Sequence, residues 1–258
     1  LYELLSDELQ TWEVAPRYDQ LLNNNICWIR DSVVRIDQTS QSLELASGDS
    51  LSWGQLVMAT GSKANDFGIP GVNQHGAGFR DLSDVGRLKQ WINSLRQQRD
   101  ENAGLVIVGA GPTGVELACK LADLIDGAAS LRLVELGDEI LPGSTAFNRE
   151  RAQAALERKG AVVQLNASVR EVKSNSAVLA DGTVLRHGGL LWTAGSSPSI
   201  PSISPAPVLE RGRLAVEADL RLAGSVNIFA LGDLSSRPGS PWPASAQVAM
   251  QQGEATAA

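Results

Sequence analysis

Gly109-Ala110-Gly111-Pro112-Thr113-Gly114 has the residue types and spacing to cradle a diphosphate. An apolar strand pattern, residues 105–108, enters this loop, and a helical pattern, 112–126, with proline at its start, leaves it. In such a loop Gly109 permits a tight turn, Gly111 lets backbone approach a pyrophosphate, and Gly114 lets helix and strand pack closely. The helix N-terminus adds free N–H groups and the positive end of a dipole. An acid should close the next strand about 20 residues on, and Glu135 does so at the end of LRLVEL, 131–136. A carboxylate there hydrogen-bonds the adenosine ribose of NAD and repels the 2′-phosphate of NADP. Strand alternation puts Arg132 on the opposite face. The bland alternatives are a structural glycine turn and a solvated strand-end charge.

The elements around this loop follow from pattern. Strand-like runs at 27–37, 42–46 and 51–62 make the opening, to about Gly86, a region of short strands and turns. Val85, Leu88, Trp91, Ile92 and Leu95 recur at helical spacing within 81–98, with Ser83 as the expected cap. The polar stretch 96–102 is a natural boundary. After it come strand, helix (112–126), strand, helix (149–160, ended by Gly160), then strands AVVQL, VREVK, AVLA, TVLR and GLLWTAG up to Gly195. A Ser/Pro-rich linker, 196–207, precedes strands at 213–216 and 227–233 and a helix that begins in SAQVAMQQG.

Composition bounds the function. The 258 residues carry a net charge of −7 and no basic face is apparent, against nucleic-acid binding. No apolar run is long enough to span a bilayer, and LYELLSDELQ is no signal peptide. Cys27, Cys119, His75 and His187 cannot form a CxxC pair or a zinc site at their spacing, so no metal site is expected and the compartment reads as reducing.

Two further loops follow apolar strands: Ala59-Thr60-Gly61-Ser62 and Thr193-Ala194-Gly195-Ser196. A third strand ends in Gly232-Asp233. Each alone reads equally as a strand-end turn. In this order, with IPG at 69–71, GAGPTGVELA, VELGDEILP, LWTAG, FALGD and PASAQVAMQQG, they resemble the two-dinucleotide-binding flavoproteins, and within them type II NAD(P)H:quinone oxidoreductases. The opening LYELLSDELQTWEVAPRY and FNRERAQAAL are similar to the cyanobacterial and plastid branch that reduces demethylphylloquinone or plastoquinone.

The resemblance implies an α/β fold of two Rossmann-like domains, the NAD domain (87–200) inserted in an FAD domain (1–86 and 201–258). It places the flavin domain's own GxGxxG before Leu1 and a membrane-seating segment after Ala258. By position in this sequence it implies that Val33 meets the adenine of FAD and that Ala59, Thr60 and Gly61 lie beside its diphosphate. Gly232 and Asp233 would contact its ribityl region, and Ala246 and Gln247 its pyrimidine edge. Gly195 would back the nicotinamide. Glu116, partly buried and with a raised pKa, would serve the reaction centre, with Gln247 and Gln251, four apart on one helix face, orienting a quinone. The cofactors implied are FAD and NADH. NADPH stays open, because relatives in that branch can prefer it while Glu135 favours NADH. The implied setting is peripheral, on the cytoplasmic side of a membrane, and compatible with a homodimer. The alternatives are a ferredoxin-type or monodehydroascorbate-type reductase and a non-catalytic NADH-binding redox sensor.

Overall fold

Strand β1 (Gly104–Val108, GLVIV) is buried along its whole length in the computed structural model, which describes residues 1–98 and 104–257. A strand covered on both faces must be continuously apolar, and this one sits in the middle of a mixed sheet. The neighbours are β2 (Leu131–Val134), β3 (Val162–Gln164), β4 (Val169–Val172), β5 (Ser176–Leu179) and β6 (Val184–Trp192). Their order is β4-β5-β6-β1-β2-β3, with the short strand Gly76–Ala77 also on β6. The pairs β6–β1, β1–β2 and β2–β3 are parallel, whereas β4, β5 and β6 form an antiparallel meander.

Three helices accompany this sheet: α1 (Leu82–Gln98), α2 (Pro112–Ile125) and α3 (Ala146–Arg158). On α2, Gly114, Val115, Leu117, Ala118, Leu121 and Ile125 are buried, the three-to-four spacing of one helical face. All but Gly114 share a core with Val85, Leu88, Ile92 and Leu95 of α1 and Leu105 and Ile107 of β1. The α1 cap is Asp81 rather than Ser83: its Oδ1 accepts from the Asp84 N–H at 2.9 Å and the Ser83 hydroxyl at 2.7 Å. Helix α3 begins three residues before the expected 149, because the Thr145 hydroxyl caps the Asn148 N–H at 3.3 Å.

The chain divides into two compact units, Leu1–Asn23 with Ala64–Gly195, and Asn24–Lys63 with Ser196–Ala258. One unit thus interrupts the other in sequence, but not at 86/87 and 200/201. Residues 1–23 are not strands: they hold the one-turn helices Tyr2–Leu5, Thr11–Val14 and Tyr18–Leu21. Leu4 and Leu5 are buried in the α1–α2 core, and ion pairs join Asp7 to Lys89 and Glu8 to Lys120, so this segment belongs with the first unit. Part of the expected boundary at 96–102 lies outside the described residues.

In the second unit, strands 33–37, 42–45 and 50–52 form an antiparallel set, and 202–204 joins 33–37 in parallel. Leu56–Met58 pairs in parallel with Ile228–Ala230. Ile36, Met58, Leu214, Leu222, Ile228, Ala230 and Leu234 form a core here. Helix α4 (Ala246–Ala257) closes the unit's sequence, with the Ser245 hydroxyl accepting from the Val248 N–H at 3.3 Å.

Candidate nucleotide-binding sites

In the first unit, the glycine loop joins β1 to α2. Gly109 has φ +102° and Gly111, at the head of α2, is extended. A Cβ on Gly114 would lie 1.9 Å from the Gly109 carbonyl oxygen and 2.9 Å from the Thr193 hydroxyl. One on Gly109 would lie 2.7 Å from the Ala194 nitrogen. These two glycines therefore serve the packing of loop, helix and β6. A Cβ on Gly111 would meet nothing within 4 Å, so the space beside it is open to a ligand. Pro112 and Thr113, the next two residues, are exposed. Thr193 fastens the loop: its hydroxyl reaches both the Val108 and Gly109 carbonyl oxygens at 2.9 Å. Sequence reasoning did not single Thr193 out.

Glu135, directly after β2, is half-buried. Its Oε2 accepts from the Ala110 N–H at 2.6 Å and its Oε1 from the Gly137 N–H at 2.9 Å. The acid thus holds the glycine loop in place. A carboxylate has about four acceptor positions, so both oxygens keep capacity for ribose hydroxyls. A cavity of about 300 Å³ opens between Glu135, Gly109, Val169, Trp192, Ala194 and Phe67. Arg132 faces away, its guanidinium donating to Gln164 Oε1 at 3.2 Å.

Glu116 does not meet the expectation of a partly buried carboxylate. Its position on α2 points the side chain into solvent, where Oε2 accepts the Tyr2 hydroxyl at 2.9 Å. Burial, and then the bond to Glu116, pushes the Tyr2 phenol above its ordinary pKa, so Tyr2 stays protonated as the donor. The Tyr2 ring packs on Phe79 with centroids 4.9 Å apart.

In the second unit, the parallel strands 56–58 and 228–230 deliver Ala59-Thr60-Gly61 and Gly232-Asp233 to the same edge. Asp233 Oδ2 accepts the Ser62 hydroxyl at 2.8 Å, and Thr60 donates to the Ser199 carbonyl at 2.5 Å. Space beside Gly61 is open within 4 Å. Ala246 and Gln247 are exposed in the first turn of α4, and Gln251 is exposed one turn on. Val33 starts the 33–37 strand, in a different sheet from 56–58 and 228–230, and packs on the same core as they do.

Gln252 was missed. It is buried, and its Oε1 accepts the Gly232 N–H at 2.6 Å, tying α4 to the Gly-Asp loop. Its three-to-four spacing from Val248 and Ala249, which are also partly covered, was the available signal. Gln252→Leu should lower stability by roughly 1–3 kcal/mol, the cost of a buried N–H left unpaired. Denaturant unfolding checks it; an unchanged midpoint would mean water replaces the amide.

The chain belongs to the pyridine nucleotide-disulphide oxidoreductase family, whose model matches residues 1–253. It is 38% identical over 265 residues to a demethylphylloquinone reductase, NdbB, from Synechocystis sp., covering 98% of this chain and 65% of that protein. It is 28% identical to a type II NADH:quinone oxidoreductase, Ndh, of Mycobacterium tuberculosis, covering 93% of this chain and 60% of that protein. The chain thus spans just under two thirds of these relatives. The fold is that of the family: NDH2 from Plasmodium falciparum, solved in complex with NADH, superposes with a TM-score of 0.73 over 85% of this chain and 52% of its own, at 21% identity.

Proposed function

We propose that this chain is the nucleotide-handling part of a flavoprotein that oxidises NADH and reduces a quinone of the phylloquinone or plastoquinone type. The first unit takes the nicotinamide nucleotide and the second takes FAD. One observation carries the proposal: a carboxylate, Glu135, anchored to the glycine loop at 2.6 Å, stands over a cavity at the end of the sheet's parallel strands. The quinone reductase names of the relatives above support the acceptor, and on that reading we assign the protein a peripheral place at the cytoplasmic side of a membrane. Among the described residues, no helix is long and apolar enough to cross a membrane.

The residues fit both groups. Open space at Gly111 and the exposed start of α2 admit a diphosphate, and Glu135 takes the adenosine ribose. Thr60, Gly61, Gly232 and Asp233 converge on one edge of the second unit, where Asp233 offers a carboxylate to the flavin's polyol chain and Gly61 leaves room for a phosphate. The exposed N-terminus of α4, with Ala246 and Gln247, would offer a positive dipole end to the flavin. Bound FAD supplies acceptance of a hydride from NADH and delivery of two electrons to the quinone. Quinone, NADH and one proton give quinol and NAD⁺, so a proton must come from outside the nucleotide. We assign that relay to Glu116, whose carboxylate is exposed and accepts the Tyr2 hydroxyl. Gln247 and Gln251, both exposed and one turn apart on α4, are the amides we assign to orienting a quinone carbonyl.

Gln251→Leu should raise the quinone KM and leave NADH-driven flavin reduction near wild type. Glu116→Gln should move the pH profile instead. If stopped-flow traces of both half-reactions and the pH profile are unchanged in both variants, these residues are scaffold.

A further inference from the structure

Phe67 is exposed, yet it is held. Its backbone has φ +51°, a left-handed conformation uncommon for a bulky residue and a mark of a position fixed by its surroundings. The fixing groups are on the same loop and on β6. The Phe67 N–H donates to Asn65 Oδ1 at 2.9 Å, the Gly68 N–H donates to Asp66 Oδ1 at 2.9 Å, and the Trp192 indole N–H donates to the Asn65 carbonyl at 2.8 Å. The ring is set against Gly195: a Cβ there would lie 2.4 Å from Phe67 Cζ, so only glycine allows the approach. Phe67 is 60% exposed, and an aromatic ring this accessible gains little from folding where it stands. It also borders the same cavity as Glu135.

Sheet order tells which end of a dinucleotide this ring meets. Glu135 follows β2 and Gly195 follows β6, with β1 and its glycine loop between them. Adjacent strands are about 4.8 Å apart, so the two positions stand roughly 10 Å apart across the loop. A dinucleotide whose diphosphate lies on the loop and whose adenosine ribose lies on Glu135 sends its other half toward β6. We infer that Phe67 is the aromatic wall of the nicotinamide subsite, stacking on the nicotinamide ring and setting its position. The inference rests on the dinucleotide reading of this cavity.

The test compares two ligands on the purified chain by calorimetry: NADH, and ADP-ribose, which has both riboses and the diphosphate but no nicotinamide. Phe67→Ala should weaken NADH about tenfold and leave ADP-ribose within about twofold, the scale of one lost aromatic stack. Phe67→Tyr should restore NADH affinity. Because the ring is largely exposed, far-ultraviolet circular dichroism should be unchanged in both variants. Equal loss for both ligands would make Phe67 a loop support, and no loss for either would remove it from the site; each overturns the wall. If the unaltered chain binds neither ligand, the dinucleotide reading itself falls, a result distinct from either.

Discussion

Gly111→Ala should lose most of its NADH affinity while keeping its stability, and Gly114→Ala should lose both. The two glycines are three residues apart in one motif, but they meet different things. A Cβ at position 111 meets nothing within 4 Å, and its extended backbone suits alanine, so the free protein does not notice the methyl group. The diphosphate does, because the methyl stands where the backbone must come close to it. At position 114 the same methyl falls 1.9 Å from the Gly109 carbonyl oxygen, a backbone atom that cannot swing aside. Overpacking of this kind costs roughly 1–3 kcal/mol. That corresponds to as much as a hundredfold in binding if the whole strain falls on the loop, and to several degrees in Tm for a chain of this size. Thermal melts and NADH titrations of the two variants separate the roles. Equal melting and equal affinity for Gly111→Ala would show that no ligand approaches there.

Glu135→Gln should erase most of the preference for NADH over NADPH. A 2′-phosphate about 4 Å from the carboxylate is disfavoured by roughly 4 kcal/mol at an effective dielectric of 20, an upper figure for a half-buried rim. Each 1.4 kcal/mol is tenfold, so native discrimination should be about ten- to a hundredfold. The amide removes the charge, and the kcat/KM ratio should fall to within about threefold. Absolute NADH affinity falls as well, for a reason visible only in the structure. Both carboxylate oxygens accept backbone N–H groups, from Ala110 and Gly137. An amide accepts only one and turns its own N–H toward the other. A native enzyme that prefers NADPH would contradict this role of Glu135.

The parts legible in sequence were those punctuated locally. The buried run of β1, the proline at the head of α2 and the acid after β2 lie within about 30 residues, and each leaves a pattern in residue type. Strand β6 was harder: Gly188-Gly189 interrupts it and made it read as two. Those glycines are there for contact, since a Cβ at 189 would lie 2.4 Å from the Trp91 ring and one at 188 lies 2.8 Å from Leu95, both on α1. The helices of residues 2–21 are single turns of four residues, too short to show a period, and the first of them with the residues after it is held by the distant partners Glu116, Lys89 and Lys120. Thr193 and Gln252 lie inside quoted motif runs without standing out in them, and Phe67 lies outside any. Their importance comes from what the fold brings to them across the chain: Gly109 for Thr193, Gly232 for Gln252 and Gly195 for Phe67. Glu116 shows the opposite case, a motif residue whose type and spacing were plain but whose partner, Tyr2, comes from the first turn of the chain.

On the proposed function, electrons pass from NADH through a flavin to a quinone. The most direct measurement is an anaerobic titration of the native protein carrying its flavin, followed by absorbance. NADH should bleach the flavin band at one equivalent per site, NADPH should do so at least tenfold more slowly, and a naphthoquinone or plastoquinone analogue should then restore the oxidised spectrum. A flavin that NADH leaves unbleached, or one that bleaches and is not reoxidised by any quinone, would contradict it.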